Sequence, residues 1–396
     1  MPRAVVVLPS TTYRAGDFLE AAESLGIDLV VASEQPPPFE MGDRYLEIDC
    51  SDPRTAALQL TEMGDEVRID GVVAADDSGV LVAALAGTTL GLAANPPGAA
   101  TASRDKFLMR RMLAKGEVPQ PEFSLLRHDD LPASDISYPI VVKPINRSAS
   151  QGVIRVDHPT RLGEAVERVR QIIGDGAPLL VEGYVDGPEI AVEGLLTDGE
   201  LTVLAVFDKP DSRTGPFFPE TIFVTPSRLP DSIQTETLRI AEAATQSLGL
   251  KQGPVHIEMR IEQGRPQIIE LAARSIGGLC SRSLNFGLMG TSLETLILRN
   301  ALGMEKPELK RERHASGVLM IPIPRSGRLQ DVKGLDRARQ IDAITGFDLT
   351  MQIGARVLAP PEGDRYLGFV YASAHDPETV ETALRQAMDT IEVSVE

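Results

Sequence analysis

Tryptophan is missing from this 396-residue chain, and aromatic residues together make up 4% of it. So few flat rings exclude an extended base-stacking platform for single-stranded nucleic acid. Positive charge is short as well: 39 Lys and Arg face 57 Asp and Glu, a net charge of −18. That balance disfavours non-specific attachment to nucleic acid or to an anionic membrane. Cys50 and Cys280 are the two cysteines, with neither the number nor the setting of a disulfide framework or a metal knuckle. No apolar run approaches the roughly 20 residues that cross a bilayer. The opening Met1-Pro2-Arg3-Ala4-Val5-Val6-Val7-Leu8 is too brief for a secretory signal and reads as a first strand. The default expectation is a cytoplasmic globular protein with no nucleic-acid and no membrane partner.

What is present is length and alternation. At 396 residues the chain exceeds one ordinary core and implies two to four units. Over residues 1–100, strand-like runs at 4–8, 28–32 and 71–75 alternate with helical patterns at 15–25 and about 78–90. That is the βαβ order of a small Rossmann-like parallel sheet covered by helices. The turn Pro9-Ser10-Thr11-Thr12 lacks the Gly-x-Gly-x-x-Gly spacing, so no nicotinamide or flavin site is assigned there. Asn95-Pro96-Pro97-Gly98 breaks the pattern and marks a boundary.

A second unit, 101–185, opens with a helix over 101–114 that carries Lys106. Strand Ile140-Val141-Val142-Lys143-Pro144, a small-residue loop, a strand at 153–156, a helix at 161–173 and a strand at 179–185 follow. In 186–307, strands 189–196 and 201–207 pair around Asp198-Gly199, and a helix at 231–248 precedes a second hairpin. The tail, 308–396, shows short β runs and a closing helix at 377–390, and reads as a small β-rich C-terminal unit. The fold class expected is α/β (α+β).

The second hairpin is the most informative segment. Val255-His256-Ile257-Glu258-Met259-Arg260 and Pro266-Gln267-Ile268-Ile269-Glu270-Leu271 flank the turn Glu262-Gln263-Gly264-Arg265, and each strand sets a carboxylate among apolar neighbours. Two carboxylates side by side are costly unless a cation offsets them. Oxygen ligands on rigid strands suit Mg²⁺, which takes its other ligands from phosphates and water. Arg274, four residues past Glu270, would face the same phosphates. Strand alternation equally allows Ile257, Met259 and Ile261 to be buried with Glu258 in solvent. An acidic protein that binds polyphosphate must gather cations locally, and Lys106, Lys143, Arg147 and Arg274 are the candidates. The loop Asn146-Arg147-Ser148-Ala149-Ser150-Gln151-Gly152 joins two strands, unlike a Walker A loop, which opens a helix. It reads either as an amide nest closing over phosphate or as a solvated turn.

The order of these segments resembles the ATP-grasp superfamily of carboxylate–amine ligases over roughly 102–303. The resemblance implies a two-subdomain core, small at 101–185 and large at 186–307. It implies that Lys106 and Lys143 reach the nucleotide phosphates beneath a covering loop of Ser148, Ser150, Gln151 and Gly152. Glu182, Gly183, Tyr184 and Val185 look like the linker that reads adenine, and Glu189 falls on the ribose-binding carboxylate. Glu258 and Glu270 fall on the metal carboxylates. Arg274, with Lys143 in a catalytic role, takes the place of the arginine facing the transferred phosphoryl group. ATP and Mg²⁺ follow as cofactors, with two ions expected and Mn²⁺ as an alternative. The partners implied are a small-molecule carboxylate and amine, and a homodimer is compatible with the resemblance.

One position departs from the pattern. Ala272 stands where many ATP-grasp enzymes carry a metal-binding Asn, so coordination leans on water and the two glutamates. Glu270-Leu271-Ala272-Ala273-Arg274-Ser275-Ile276-Gly277-Gly278 is similar instead to the bacterial L-amino-acid ligases and carnosine-synthase-like enzymes. Amide or peptide bond formation with an L-amino acid is the function implied. A purine-pathway or biotin-carboxylase-type reaction, or a non-catalytic ATP-binding protein, are the competing readings. For the substrate, Glu220 is the candidate for an ammonium group, and Arg282, after the Gly277-Gly278 turn, for a carboxylate. His256 shares the face of Glu258 and reads either as a substrate contact or as a core imidazole. Cys280 reads as packed.

Overall fold

The computed structural model describes residues 1–10, 12–36, 41–127, 135–174, 176–211, 214–287, 290–305 and 314–396. Strands Arg3–Val7, Asp28–Ser33, Tyr45–Glu47 and Gly71–Ala74 form a parallel sheet in the spatial order third, second, first, fourth. Val5, Val7, Val30 and Ala32 pack on one side, towards helices Pro53–Glu66 and Asp77–Thr89. Ala4, Val6, Leu29 and Val31 pack on the other, towards helices Ala15–Leu25 and Leu293–Ala301. Cover on both faces is why these strands read as unbroken apolar runs. Tyr45–Glu47 and Pro53–Glu66 were not anticipated from sequence; Asp52 caps the latter by accepting from Thr55 N at 3.3 Å. Thr11, in the turn inspected for a nucleotide fingerprint, lies outside the described residues.

The single helix predicted over 101–114 is two. Pro97–Arg104 ends at Asp105, which caps Lys106–Lys115 by accepting from Leu108 N at 2.9 Å. Asp at an N-cap competes well with continued helix. The break sets Lys106 at the first position of the second helix, buried rather than on a solvated surface.

Two antiparallel sheets enclose the space beyond. Phe123–Leu126, Leu179–Gly183, Ile140–Pro144 and Ile154–Val156 make a four-stranded sheet in that order, covered by helix Leu162–Ile173. An eight-stranded sheet runs Arg265–Ala272, Gly253–Glu262, Glu189–Thr197, Glu200–Lys209, Ile222–Thr225, Ala315–Met320, Gly368–Ala374 and Ile344–Leu349. Helix Asp231–Leu248 covers its hairpin end, packing Ile240, Ala244 and Leu248 with Val255, Ile257, Met259 and Ile261.

The tail is β-rich, as expected, and joins the main sheet. Three of its strands continue the large sheet, and Arg356–Val357, Gly327–Lys333 and Glu392–Val395 form a small sheet beside it. The proposed 307/308 boundary falls within 306–313, outside the described residues. Among the described residues no helix is long and apolar enough to cross a membrane.

Candidate functional site

With Val255, Ile257, Met259 and Ile261 turned to the helix, His256, Glu258 and Arg260 must share the opposite face. Register extends that face across three strands. His256 pairs with Glu193, Arg260 with Glu189, and Lys209 with Glu189 from the other side. Glu258 stands opposite Glu270, and a β-bulge follows: Met259 pairs with Ile268, leaving Ile269 as an extra residue. The bulge lets Ile268 stay in the core while Glu270 turns to its partner carboxylate. Of the two orientations the sequence left open, the one that puts Glu258 in open solvent does not hold. Both glutamates line a cavity of about 560 Å³ between the two antiparallel sheets and the N-terminal unit.

The cavity is dense in charge. Lys209 Nζ contacts Glu189, sits 2.8 Å from Glu220 and 3.3 Å from Glu258. Lys106 Nζ lies 2.9 Å from Glu270 and donates to Arg147 O at 2.5 Å. Lys143 Nζ meets Glu182 at 2.6 Å, and Arg110, fully buried, meets the other oxygen of Glu182 at 2.5 Å. Burial, with Arg110 and Lys106 nearby, holds the Lys143 ammonium below the usual lysine range despite Glu182. Arg274 Nε reaches Asp77 at 3.0 Å, and Asp77 opens the helix Asp77–Thr89. Burial would raise the Asp77 carboxyl, but the Arg274 guanidinium outweighs it and keeps it ionised.

Two carboxylates on this floor behave in opposite ways. Burial raises both, yet Lys209 and His256 hold Glu258 well below the carboxylate range. Glu220, beside Lys209 and the charge of Glu258, is pushed up to about 7. His256 donates between Glu193, at 3.0 Å, and Glu258, at 3.5 Å. Glu193 is wholly buried and also accepts from Ile276 N at 3.0 Å, fixing the turn that follows Arg274.

Of the residues singled out from sequence, Lys106, Lys143, Ser148, Ser150, Gln151, Glu182, Gly183, Tyr184, Val185, Glu189, Glu220, His256, Glu258, Glu270, Arg274, Gly277 and Gly278 line this one cavity. Gly152 stands just behind it. Its φ is +73°, and a Cβ there would come 2.9 Å from Pro144 Cγ. Ala149 and Ser150 also have left-handed φ values, 52° and 56°, curling the loop. The loop is docked: Gly152 N donates to Pro361 O at 2.8 Å and Gln151 Nε2 to Glu362 O at 2.9 Å. The Glu182 carboxylate is paired with Arg110 and Lys143. Arg282 needs a correction. Its guanidinium lies outside the cavity, paired with Asp17 and Asp348 at 2.7 Å each. Cys280 is packed, and burial pushes its thiol up.

Sequence reasoning passed over Arg110, Glu193, Arg260, Asp77 and, as a site residue, Lys209. The last had a signal: Lys209-Pro210 ends a long apolar strand, just as Lys143-Pro144 does. Among the described residues no trio of His, Cys, Asp or Glu forms a metal cage. The acidic pair is met by ammonium groups instead.

The cavity thus sets two opposed carboxylates against several buried cations. Comparison with known proteins gives the class: family models match the ATP-grasp domain at 136–283, the ATP-grasp N-terminal domain at 19–93 and L-amino acid ligase C-terminal domain 2 at 319–396. The crystal structure of L-amino acid ligase from Bacillus licheniformis superposes with a TM-score of 0.84 at 27% identity, covering 100% of this chain and 99% of that one. Alanine–anticapsin ligase of Bacillus subtilis (strain 168) is 25% identical over 55% of this chain and 51% of its own length. Carnosine synthase 1 of Gallus gallus is 26% identical over 72% of this chain and 33% of its own. The chain thus spans about half of the first of these two enzymes and a third of the second. It carries a match to the ATP-grasp domain and is similar in fold over its whole length to an L-amino acid ligase.

Proposed function

We propose that this chain joins the carboxylate of an L-amino acid to an amine through an acyl-phosphate, releasing ADP and phosphate. The observation that carries the reading is Glu258 in register with Glu270, with Lys106, Lys143 and Arg274 lining the same cavity. A carboxylate is a poor electrophile because its charge is delocalised and repels nucleophiles. Phosphoryl transfer to it creates a good leaving group, which an amine then displaces. Such transfer depends on alignment and charge stabilisation more than on covalent help.

Each side chain has a task in that scheme. Lys106 and Lys143 hold the phosphates, the 148–152 loop closes over them, and Arg274 meets the charge that develops in both steps. Backbone groups of 183–185 face adenine and Glu189 faces ribose. Glu220, beside Lys209 and Tyr366, receives the substrate ammonium, with His256 behind it. Glu258 and Glu270 suit Mg²⁺: they offer only oxygen, stand on adjacent rigid strands, and are each neutralised by a lysine that a divalent ion can replace. When bound there, Mg²⁺ would offset the charge of the phosphates.

The test is mass spectrometry of products from ATP, Mg²⁺ and pooled amino acids. A condensed mass formed in step with ADP supports the reading. Ala272 and the Arg274-Ser275-Ile276-Gly277-Gly278 turn favour it over a purine-pathway or biotin-carboxylase-type reaction. Bicarbonate-dependent ADP release with no amine requirement would overturn that preference. ATP–Mg²⁺ binding without phosphate release across the whole panel would make the chain a non-catalytic binder.

A further inference from the structure

We propose that Arg365 anchors the α-carboxylate of the amine-donating amino acid; this rests on the amino-acid ligase reading above. If both substrates are amino acids, each brings a carboxylate, and only one is to be activated. The activated one must meet the phosphates at Lys106, Arg274 and the glutamate pair. The other must be held by a cation of its own, away from the transferred phosphoryl group, so that its amine and not its carboxylate approaches the acyl carbon.

Arg365 is placed for this. It lies between strands Arg356–Val357 and Gly368–Ala374, half-buried on the cavity wall. Among the described residues it forms no ion pair, whereas Lys106, Lys143, Lys209 and Arg274 are each engaged with a carboxylate. Its guanidinium stands 6.0 Å from the centroid of the Tyr13 ring, which belongs to the N-terminal unit and lines the same cavity. A guanidinium on the wall of a substrate cavity, with no carboxylate paired to it among the described residues, suits an anionic group of a substrate. A carboxylate is such a group, since the guanidinium fork matches its two oxygens.

The neighbouring residue gives the orientation. Tyr366 reaches Glu220 with its hydroxyl at 3.5 Å. One short segment therefore touches both the acidic floor, suited to an ammonium group, and the arginine suited to a carboxylate. Arg104 and Arg147, also on the wall, flank Lys106 in the chain or accept its hydrogen bond, and so belong to the phosphate side. Arg282, the sequence's candidate for this role, is committed to Asp17 and Asp348.

The experiment compares wild type, R365A and R365Q with the substrate pair found by product analysis, offering the acceptor as free acid and as its carboxamide. Wild type is expected to prefer the acid by at least about tenfold in kcat/KM, the scale of a charge-assisted hydrogen bond. R365A and R365Q should raise the acceptor KM by about tenfold or more, leave the donor KM unchanged, and erase the preference for acid over amide. R365Q keeps the stem and reads the effect should R365A unfold. Acceptor KM within about twofold of wild type in folded R365Q, with the acid preference intact, overturns the assignment. Absence of any amino-acid-dependent ADP release by the wild-type protein overturns the ligase reading and this inference together.

Discussion

Glu258 faces Glu270 across the hairpin, and a different lysine answers each: Lys209 at 3.3 Å from the first, Lys106 at 2.9 Å from the second. Like charges paired across strands destabilise a sheet unless they are compensated. The two lysines come from separate elements, so the compensation depends on the closed fold. E258Q and E270Q are each expected to lower ADP release by at least about 10²-fold, as loss of a preorganised charge does. Each should also abolish the Mg²⁺-dependent part of the thermal shift given by a non-hydrolysable ATP analogue. An undiminished shift in either variant would release that glutamate from the metal role.

Arg274 is held by Asp77 at 3.0 Å, a contact between the hairpin's end and the N-terminal unit. R274A should cut amine-dependent ADP release by at least about 10²-fold. D77N leaves the guanidinium in place but loosely aimed, so a smaller loss, on the order of tenfold, is expected from misalignment alone. Steady-state kinetics on both variants checks the order; equal losses would mean that Asp77 acts directly.

Arg110 concerns stability. It is fully buried, pairs with Glu182 at 2.5 Å, and donates to the backbone oxygens of Ile268 and Ile269 at 2.8 and 2.7 Å. It thereby ties the four-stranded sheet to the bulge of the hairpin. R110M should cost about 3–5 kcal/mol, because it strips a buried carboxylate of one partner and leaves two carbonyls unsatisfied. Urea denaturation reads this directly. A loss under about 1 kcal/mol would show that Lys143 suffices for Glu182.

His256 predicts a pH dependence in the nucleotide-free protein. Burial alone would lower its pKa, but Glu193 and Glu258 outweigh burial and raise it to about 9 from 6.5. A folded value above the unfolded one means that the imidazolium stabilises fully below pH about 6.5, and that this stability is lost as pH rises through about 9. H256Q should lack that component, on the order of 3 kcal/mol. The gap between wild type and variant should therefore narrow between pH 6 and pH 9.5 in denaturation midpoints. A constant gap would mean a neutral ring.

Much of the architecture was legible because local signals were strong. Ala15–Leu25, Asp231–Leu248 and Pro377–Thr390 have the expected bounds, set by αL Gly26 and Gly249 at two ends and Asp376 at one start. The Asp198-Gly199 hairpin follows from two left-handed residues in a tight turn. Lys143 and the hairpin glutamates were legible because they interrupt apolar strands, whereas Ser148, Ser150, Glu182 and Glu189 were named through the family resemblance. Lys209, Glu193 and Arg260 were harder: on strands of alternating polarity, only pairing across three strands turns them towards Glu189, Glu258 and His256. Arg282 misled because a charged residue after a glycine turn has no local sign of its partners, here Asp17 and Asp348 from distant segments. The merging of the tail with the main sheet was likewise invisible, being a contact between Ile222–Thr225 and Ala315–Met320.

That last pairing has a consequence for any shortened or chimeric version of the chain. Ile222–Thr225 is buried at every position, and a chain ending before Ala315 would present it as a raw border with open amides and carbonyls. Such borders recruit foreign strands and seed precipitates. The carboxyl-terminal strands are thus the selvedge of the cloth on which the catalytic groups are woven, and grafting them between relatives would mean re-knitting the fabric row by row.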